Sequence, residues 1–270
     1  MKKEIVNVAS DEQLSELRSL YPSSDTFQRI QVPRLGMLAK DIAKEEGTGK
    51  KKTIVIEQAS GTFYIEREKQ EEGENGEMKR VWTREFFDDV EAIEATIIYH
   101  SKQLRLCDDS TEMYVSSPIF DNKDEIVPLF CDRKEIKRGA QAELQALYPA
   151  LTAKGKPSSK LKEEKILYVI YKGELFQMNL SQSSKYSFLN YSKNVNPATV
   201  ITKIGSLEQT HGTNTYKQMT FVSVKPITKE QADLVINMVR EIKNSIAAEK
   251  SYFTEKSAEV VAAEKTFAEM

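Results

Sequence analysis

Lysines and aromatic residues are interleaved through residues 150–229, a composition typical of a surface that binds a polyanion. This stretch contains twelve lysines, no arginine and four glutamates, so its charge is +8. The whole chain has a charge of −2, which leaves −10 for the residues outside the stretch. A basic segment within an acidic chain predicts a nucleic-acid-binding surface, because ammonium groups neutralise the phosphates of the backbone.

Ten residues of this stretch are the candidates for contact with a single strand. Single strands bind where cations follow the phosphate backbone and aromatic rings stack on the bases. We expect the lysines to neutralise phosphates and the tyrosines to stack, because a tyrosine hydroxyl favours contact with water or a partner. The predicted contact residues are Lys165, Tyr168, Tyr171, Lys172, Lys185, Tyr191, Lys193, Lys203, Tyr216 and Lys217.

An E-x-K triplet, formed by Glu163 and Lys165, introduces a catalytic alternative. Metal-dependent nucleases place such a triplet on a strand beside a second acidic residue, because Mg²⁺ is bound by carboxylates and substrate phosphates. Charged residues make up 30% of the chain, so triplets of this kind arise readily by chance. We therefore predict that the protein is not an enzyme and keep a metal-dependent nuclease as an alternative.

Two other motifs lack the spacing that their chemistry requires. Residues 47–50 (GTGK) resemble part of a phosphate-binding loop, but Lys51 stands where a hydroxyl residue would bind Mg²⁺. His100, Cys107 and Cys131 lack the C-x-x-C pair that prearranges two thiolates around zinc. The two cysteines are typical of small buried apolar residues. The sequence therefore predicts no cofactor and no metal.

Strands are the main elements that must position these residues. The strand patterns of the basic stretch lie at 166–171, 175–180, 199–207 and 214–224, with a short helix predicted at 184–191. This order is compatible with an OB-type barrel, in which a helix lies between the third and fourth strands. Strands at 53–65 and 81–107 would complete or enlarge it. We predict an α+β, β-rich fold with an OB-like antiparallel barrel or sheet.

Helical patterns lie on both sides of the strands. Residues 10–20 and 135–147 each predict a helix, and the second is stopped by Pro149. A long terminal helix begins at Thr228, which forms a capping box with Gln231. Apolar residues then recur at helical spacing through 234–246. The predicted domains are an N-terminal helical extension (1–28), an OB-like core (29–227) and a C-terminal helix with its tail (228–270).

The end of the chain and its overall hydropathy predict partners and location. Val260, Val261 and Phe267 form a second apolar stripe, which predicts a homo-oligomer through the C-terminal helix. No apolar run reaches the roughly 18 residues that would span a bilayer. The first residues also lack the apolar core of a signal peptide. We therefore expect a cytoplasmic protein with no membrane partner.

Several short motifs resemble those of phage and mobile-element single-stranded-DNA-binding proteins. These motifs, which cover most of 29–245, are VPRLGML at 32–38, SGTFY at 60–64, NLSQSS at 179–184, FLNY at 188–191 and YKQMTF at 216–221. The resemblance implies a non-catalytic role in DNA replication or recombination, contact with proteins of those processes, and the bacterial host cytoplasm if the chain is phage-encoded. A structural or protein-interaction protein of a phage or mobile element is the alternative.

One departure from this family concerns the tail. Many such proteins end in a strongly acidic tail with a terminal aromatic residue that recruits partners. Residues 251–270 contain four glutamates and two lysines, a balance of only −2, and Phe267 is not terminal. The resemblance therefore does not extend to recruitment of partners by the tail.

Overall fold

Strands dominate the part of the chain that the structure describes, which confirms the β-rich prediction. The computed structural model describes residues 32–46, 53–72, 78–87, 90–108, 113–131, 134–152 and 154–268. The predicted helix at 10–20 and the motif at 47–50 lie outside these ranges. The strands are β1 (Arg34–Met37), β2 (Ile42–Glu46), β3 (Thr53–Gln58), β4 (Phe63–Glu72), β5 (Met78–Phe86), β6 (Ala92–Asp108), β7 (Met113–Ser116), β8 (Val127–Cys131), β9 (Lys134–Gly139), β10 (Pro149–Leu151), β11 (Pro157–Ser159), β12 (Lys162–Tyr171), β13 (Glu174–Leu180), β14 (Val200–His211) and β15 (Asn214–Pro226). The helices are α1 (Gln141–Ala146), α2 (Gln182–Asn194) and α3 (Lys229–Ala268).

One large mixed sheet contains eleven of these strands. Its order is β5-β4-β1-β13-β12-β6-β7-β8-β9, and β14 joins it through β6 and carries β15. The 17 residues of β6 make this possible, because β14 pairs with Ala92–Ala95 while β12 pairs further along the same strand. Most pairs are antiparallel, but β1 is parallel to β13. The sequence predicted an antiparallel barrel or sheet, but the observed sheet is mixed.

The predicted order of strand, strand, helix, strand, strand is confirmed by β12, β13, α2, β14 and β15. The sheet is not closed into a barrel, because no strand ladder joins β13 to β15 within the described residues. Instead β1 lies beside β13, and the carbonyl of Ala39 beyond it accepts a hydrogen bond from the Lys217 N–H of β15 at 3.1 Å. Helix α2 is also tied to β15, since the Met219 N–H donates to Ser184 Oγ at 3.0 Å.

Alternation along the strands gives the sheet two faces. On one, here called the α2 face, Leu167 and Val169 of β12 pack with Phe188 of α2. On the other, the α3 face, Ile166 and Tyr168 pack with the stripe of α3. A second apolar core lies further along the α2 face, where Leu104 and Leu161 pack with Leu144 of α1, among others.

Helix α3 confirms the predicted terminal helix and its capping box. The Thr228 N–H donates to Gln231 Oε1 at 2.9 Å, and the Gln231 N–H donates to Thr228 Oγ1 at 3.3 Å. Val235, Ile242 and Ile246 pack against the sheet of the same chain, so the first stripe of this helix is covered internally. Among the described helices, none is long and apolar enough to cross a membrane.

The predicted helix at 135–147 is mostly wrong. Residues Lys134–Gly139 form β9, and only Gln141–Ala146 are helical. Residues 134–139 pair with β8 instead of forming a helix. This pairing outweighs their local helical preference, and a pattern of neighbouring residues does not reveal it. At the junction the Ala140 N–H donates to Glu143 Oε2 at 3.0 Å, and the helix begins there.

Self-association through the end of α3 stays a prediction. Light scattering of the full chain is expected to give the mass of an oligomer, because Val260, Val261 and Phe267 need an apolar partner. A chain ending at Ser251 retains the stripe that packs on the sheet and is expected to be monomeric. Monomeric masses for both proteins would contradict the prediction.

Candidate nucleic-acid interface

Two of the ten predicted contact residues are buried. Tyr168 is 5% exposed beneath α3, where it packs with Val235, Ile242 and Ile246. Lys165 is 7% exposed on the α2 face. Neither side chain presents a surface to a bound strand, because the elements that cover them belong to the same chain.

Three of the remaining predicted residues are exposed and lie on different elements. Lys172 is at the turn between β12 and β13, Lys193 is in the last turn of α2, and Lys203 is on β14. The basic stretch as a whole is similarly dispersed: Lys162 and Lys172 lie at opposite ends of β12, about 33 Å apart for ten residues of strand. Nine of its twelve lysines are exposed, and they lie on several strands, turns and helices rather than along one strand.

The other five predicted residues are half-buried, and most have partners within the chain. The ammonium of Lys185 lies 2.6 Å from Glu163 Oε1, and that of Lys217 lies 3.3 Å from Glu208 Oε2. The Tyr191 hydroxyl lies 2.7 Å from Thr202 Oγ1, and the Tyr191 ring stacks on Phe221. Tyr171 packs on the core beside Phe87 and Phe176, while Tyr216 lies opposite Gln209 on the β14–β15 hairpin.

A compact set of arginines and aromatic rings lies on β1, β4 and β5, outside the predicted stretch. We call it the arginine–aromatic surface; its members are Arg34, Tyr64, Glu66, Trp82, Arg84 and Phe86. Leu35, Phe63 and Ile65 point into the core of the α2 face, so alternation places their neighbours on the α3 face. The register sets Arg34 beside Glu66 and Glu66 beside Arg84. Trp82 is 47% exposed.

The two arginines lie over aromatic rings. The guanidinium of Arg34 lies 5.1 Å from the centre of the Trp82 ring, and that of Arg84 lies 5.0 Å from the centre of the Tyr64 ring. Buried Glu66 fixes both: Arg34 Nη1 donates to Oε2 at 3.2 Å and Arg84 Nε donates to Oε1 at 2.9 Å. Each cation–π contact contributes about 0.5–1 kcal/mol at an exposed site.

Gly36 allows Tyr64 to lie across β1. A Cβ atom at Gly36 would stand 2.4 Å from Tyr64 Cζ, so any other residue would displace the ring. Tyr64 in turn packs against Phe86, with ring centres 5.8 Å apart. Burial raises the pKa of Tyr64, while the charge of Arg84 opposes this shift. The Tyr64 hydroxyl therefore stays protonated near neutral pH, and the Arg84 guanidinium lies over a neutral ring.

The arginine–aromatic surface can bind nucleobases by stacking. An exposed indole beside guanidinium planes offers flat faces to nucleobases. Arg34 and Arg84 carry two positive charges, but Glu66 lies between them and Glu68 lies opposite Trp82 in the register. The local charge is therefore near zero, and phosphate neutralisation must come from lysines elsewhere.

One signal in the sequence could have indicated this surface. Trp82, the single tryptophan of the chain, alternates with Arg84 and Phe86 along one strand, which places the three side chains on the same face.

A cluster of charged side chains interrupts the α2 face between its two apolar cores. We call it the lysine cluster: Lys102, Lys165 and Lys185 surround Glu163, with His100 beside Lys165. Glu163 accepts from Lys185 at 2.6 Å, and its other oxygen accepts from Gln141 Nε2 of α1 at 2.8 Å and lies 3.8 Å from Lys102 Nζ. Lys165 Nζ lies 2.8 Å from His100 Nδ1.

Burial sets the protonation of this cluster. It lowers the pKa of Lys165 to about 8, although the nearby Glu163 carboxylate acts in the opposite direction. Burial also lowers the pKa of His100, and the positive charge of Lys165 adds to this effect. Near neutral pH the Lys165 ammonium therefore donates to the Nδ1 atom of a neutral imidazole.

The same cluster gives the nuclease alternative no support. Glu163 and Lys165 do lie on one face, as an E-x-K triplet on a strand requires, but the carboxylate is already bound by Lys185 and Gln141. Glu164 points to the opposite face and forms an ion pair with Arg105 at 3.0 Å. In the ranges that the structure describes, no group of three or more His, Cys, Asp or Glu side chains could hold a metal ion.

Lys165 is expected to make stability depend on pH between about 8 and 10.5. Its pKa is about 8 in the fold and returns to 10.5 in the unfolded chain, so the unfolded state binds more protons in this window. The free energy of unfolding should therefore rise with pH there. Urea unfolding at about pH 8 and pH 10 should show a smaller rise for Lys165→Met than for the natural chain. Equal rises would contradict the burial of this ammonium.

Comparison with known proteins identifies no relative. The chain matches no protein-family model, no curated protein and no solved structure. The likeness to phage and mobile-element proteins is therefore a resemblance of short motifs, and function is inferred from the geometry of the surfaces described above.

Proposed function

We propose that this protein binds single-stranded DNA without catalysis, and that the arginine–aromatic surface stacks the bases. The observation that supports this most is the 47% exposure of Trp82, with the Arg34 guanidinium 5.1 Å from its ring centre. A large aromatic residue left exposed beside cations on a sheet face is typical of a binding surface. Each stacked base contributes about 1–3 kcal/mol, independently of its identity.

The path of the strand follows from what α3 covers. This helix packs over Ile166 and Tyr168 of β12 and leaves the arginine–aromatic surface on β1, β4 and β5 uncovered. A strand lying on the α3 face would therefore cross β5, β4 and β1, with Gln177 of β13 as the next neighbour of Arg34. Exposed lysines such as Lys172, in the turn between β12 and β13, would supply phosphate contacts at its flanks.

An OB-type identity for the core is part of the proposal. The neighbour order β13-β12-β6-β14-β15, with α2 between β13 and β14, is the order of an OB barrel opened between its third and fifth strands. In OB folds the face of the second and third strands binds oligonucleotides. Here β12 corresponds to the second strand of an OB barrel, and α3 covers it. The proposed site therefore lies on β1, β4 and β5, which are additional to the five OB strands. A role in replication or recombination accords with the motif resemblance.

Binding of labelled oligonucleotides tests the proposal. Fluorescence anisotropy is measured with single-stranded and duplex DNA of the same sequence at about 50 mM and 200 mM salt. We expect tighter binding to the single strand, because a duplex hides its base faces. Affinity should fall with salt as the lysines release counterions. No binding at the lower salt concentration, or equal affinity for the duplex, would remove the proposal.

A further inference from the structure

The lysine cluster places charged groups where the fold otherwise buries apolar ones. It lies between the core under α2, which contains Phe188, and the core under α1, which contains Leu144. Lys165 is one of the buried charged residues of the described chain, and the side chains of Lys102, Lys185 and Glu163 are mostly buried. Burying an ammonium without a full set of partners is costly, and a bound anion would offset that cost.

The donors of the cluster outnumber its acceptors. An ammonium carries three donor hydrogens. Among the described residues, the polar contact of Lys165 Nζ is with the neutral His100 Nδ1 at 2.8 Å, which uses one of its hydrogens. Lys102 Nζ stands 3.8 Å from Glu163 Oε2, beyond hydrogen-bonding distance. Lys102 Nζ also lies 5.8 Å from the centre of the Phe120 ring, and Gln141 Oε1 is a buried acceptor without a hydrogen-bond partner. The three ammonium groups still carry more donor hydrogens than these acceptors use.

His100 adds a further donor at the solvent side. Because Lys165 donates to Nδ1, the neutral imidazole carries its hydrogen on Nε2, which is then a donor. His100 is exposed, so this side of the cluster faces solution. The ring is fixed edge-on against Phe188 of α2, with centres 5.7 Å apart at 78°.

The charge balance of the cluster favours an anion. Lys102, Lys165 and Lys185 contribute three positive charges, Glu163 contributes one negative charge, and the His100 ring is neutral. Asp121 is the other acidic group whose charge acts on both Lys165 and His100, and it is exposed. Counting both carboxylates leaves an excess of one positive charge within a partly dry site, where electrostatic attraction is strong.

We propose that the lysine cluster is a binding site for a phosphate group, held by Lys102, Lys165, Lys185 and the Nε2 of His100. The site lies on the α2 face, opposite the arginine–aromatic surface, so it does not depend on the proposed binding of a strand. The phosphate belongs either to free inorganic phosphate or to a nucleotide. Both present the same tetrahedral oxyanion, and they are separated by experiment.

Nitrogen NMR of the histidine rings tests the site directly. The chain has two histidines, His100 and His211, so the second is an internal control. Inorganic phosphate is added up to about 10 mM against sodium chloride of equal ionic strength, a range that covers a Kd near 1 mM. We expect a saturable shift of the His100 nitrogens alone. No shift of His100 with phosphate, and none with a nucleoside monophosphate, would overturn the proposal.

Variants connect the shift to the cluster. Lys165→Met keeps the length and apolar stem of the side chain, and we expect it to weaken phosphate binding at least tenfold. Lys154→Met removes an exposed lysine away from the cluster and should leave binding unchanged. A phosphate-dependent rise in melting temperature, present in the natural chain and Lys154→Met but absent in Lys165→Met, gives an independent readout. Equal binding by all three proteins would overturn the proposal.

The source of the phosphate follows from relative affinities. Tighter binding of a nucleoside monophosphate than of inorganic phosphate assigns the site to a nucleotide, and equal affinities assign it to the free ion. Either result supports the site. Loss of oligonucleotide binding with retention of the His100 shift would remove the proposed function and leave this site intact.

Discussion

Replacing Trp82 with alanine is expected to weaken binding of single-stranded DNA by about 1–3 kcal/mol, or roughly 5- to 150-fold in Kd. The indole is 47% exposed and is the largest flat face of the arginine–aromatic surface. Its loss also leaves Arg34 without the ring against which it lies. The dependence of affinity on salt should change little, because the local charge is near zero and no phosphate contact is removed. Fluorescence anisotropy at several salt concentrations measures both quantities.

Two other variants make this result specific. Trp82→Phe retains an aromatic face and is expected to keep most of the affinity. Tyr186→Ala removes a ring that is 58% exposed on α2, the helix that packs on the opposite face of the sheet, and should bind normally. The melting temperatures of the three variants and the natural chain are compared, so that a loss of affinity is not caused by unfolding. Unchanged affinity of a folded Trp82→Ala variant would contradict the assignment of the surface.

Replacing Phe188 with alanine is expected to lower the free energy of unfolding by about 3–5 kcal/mol. Phe188 is fully buried between α2 and the sheet, and its ring meets Phe221 edge-on with centres 5.5 Å apart. The cavity left by its removal would be bordered by Leu167 and Ile204, which strands hold in place. Urea unfolding measures the change.

Tyr186→Ala is also the matched control for this stability prediction. It lies two residues earlier in the same helix and removes a ring of similar size from an exposed position. Its free energy of unfolding should change by no more than about 0.5 kcal/mol. Similar losses for the two variants would show that the helix itself, rather than the buried ring, determines the effect.

Elements with a strong local pattern were predictable from the sequence. The strands at 166–171 and 175–180, the helix around 184–191 and the capping box at Thr228 were all found where expected, because periodicity and capping are set by neighbouring residues. The shared face of Glu163 and Lys165 also follows from alternation alone. The succession of two strands, α2 and two more strands along the chain was predicted for the same reason.

The complete candidate surface could not be predicted, because β1 is distant in the sequence from the consecutive strands β4 and β5. Arg34, Glu66 and Arg84 become neighbours only when β1 pairs with β4 and β4 with β5. The charge of residues 150–229 gave no hint of this, since that count averages over both faces and both ends of β12. Tyr168 was assigned to a surface because the local pattern does not reveal that α3 covers it.

The emission of Trp82 during a titration with single-stranded DNA tests the central claim most directly. Trp82 is the single tryptophan of the chain, so the signal reports one site. A base that stacks on the indole should quench this emission in a saturable way, with the same Kd that anisotropy gives for the labelled oligonucleotide. Saturation of the anisotropy with no change in the emission would show that the strand binds elsewhere and would contradict the account.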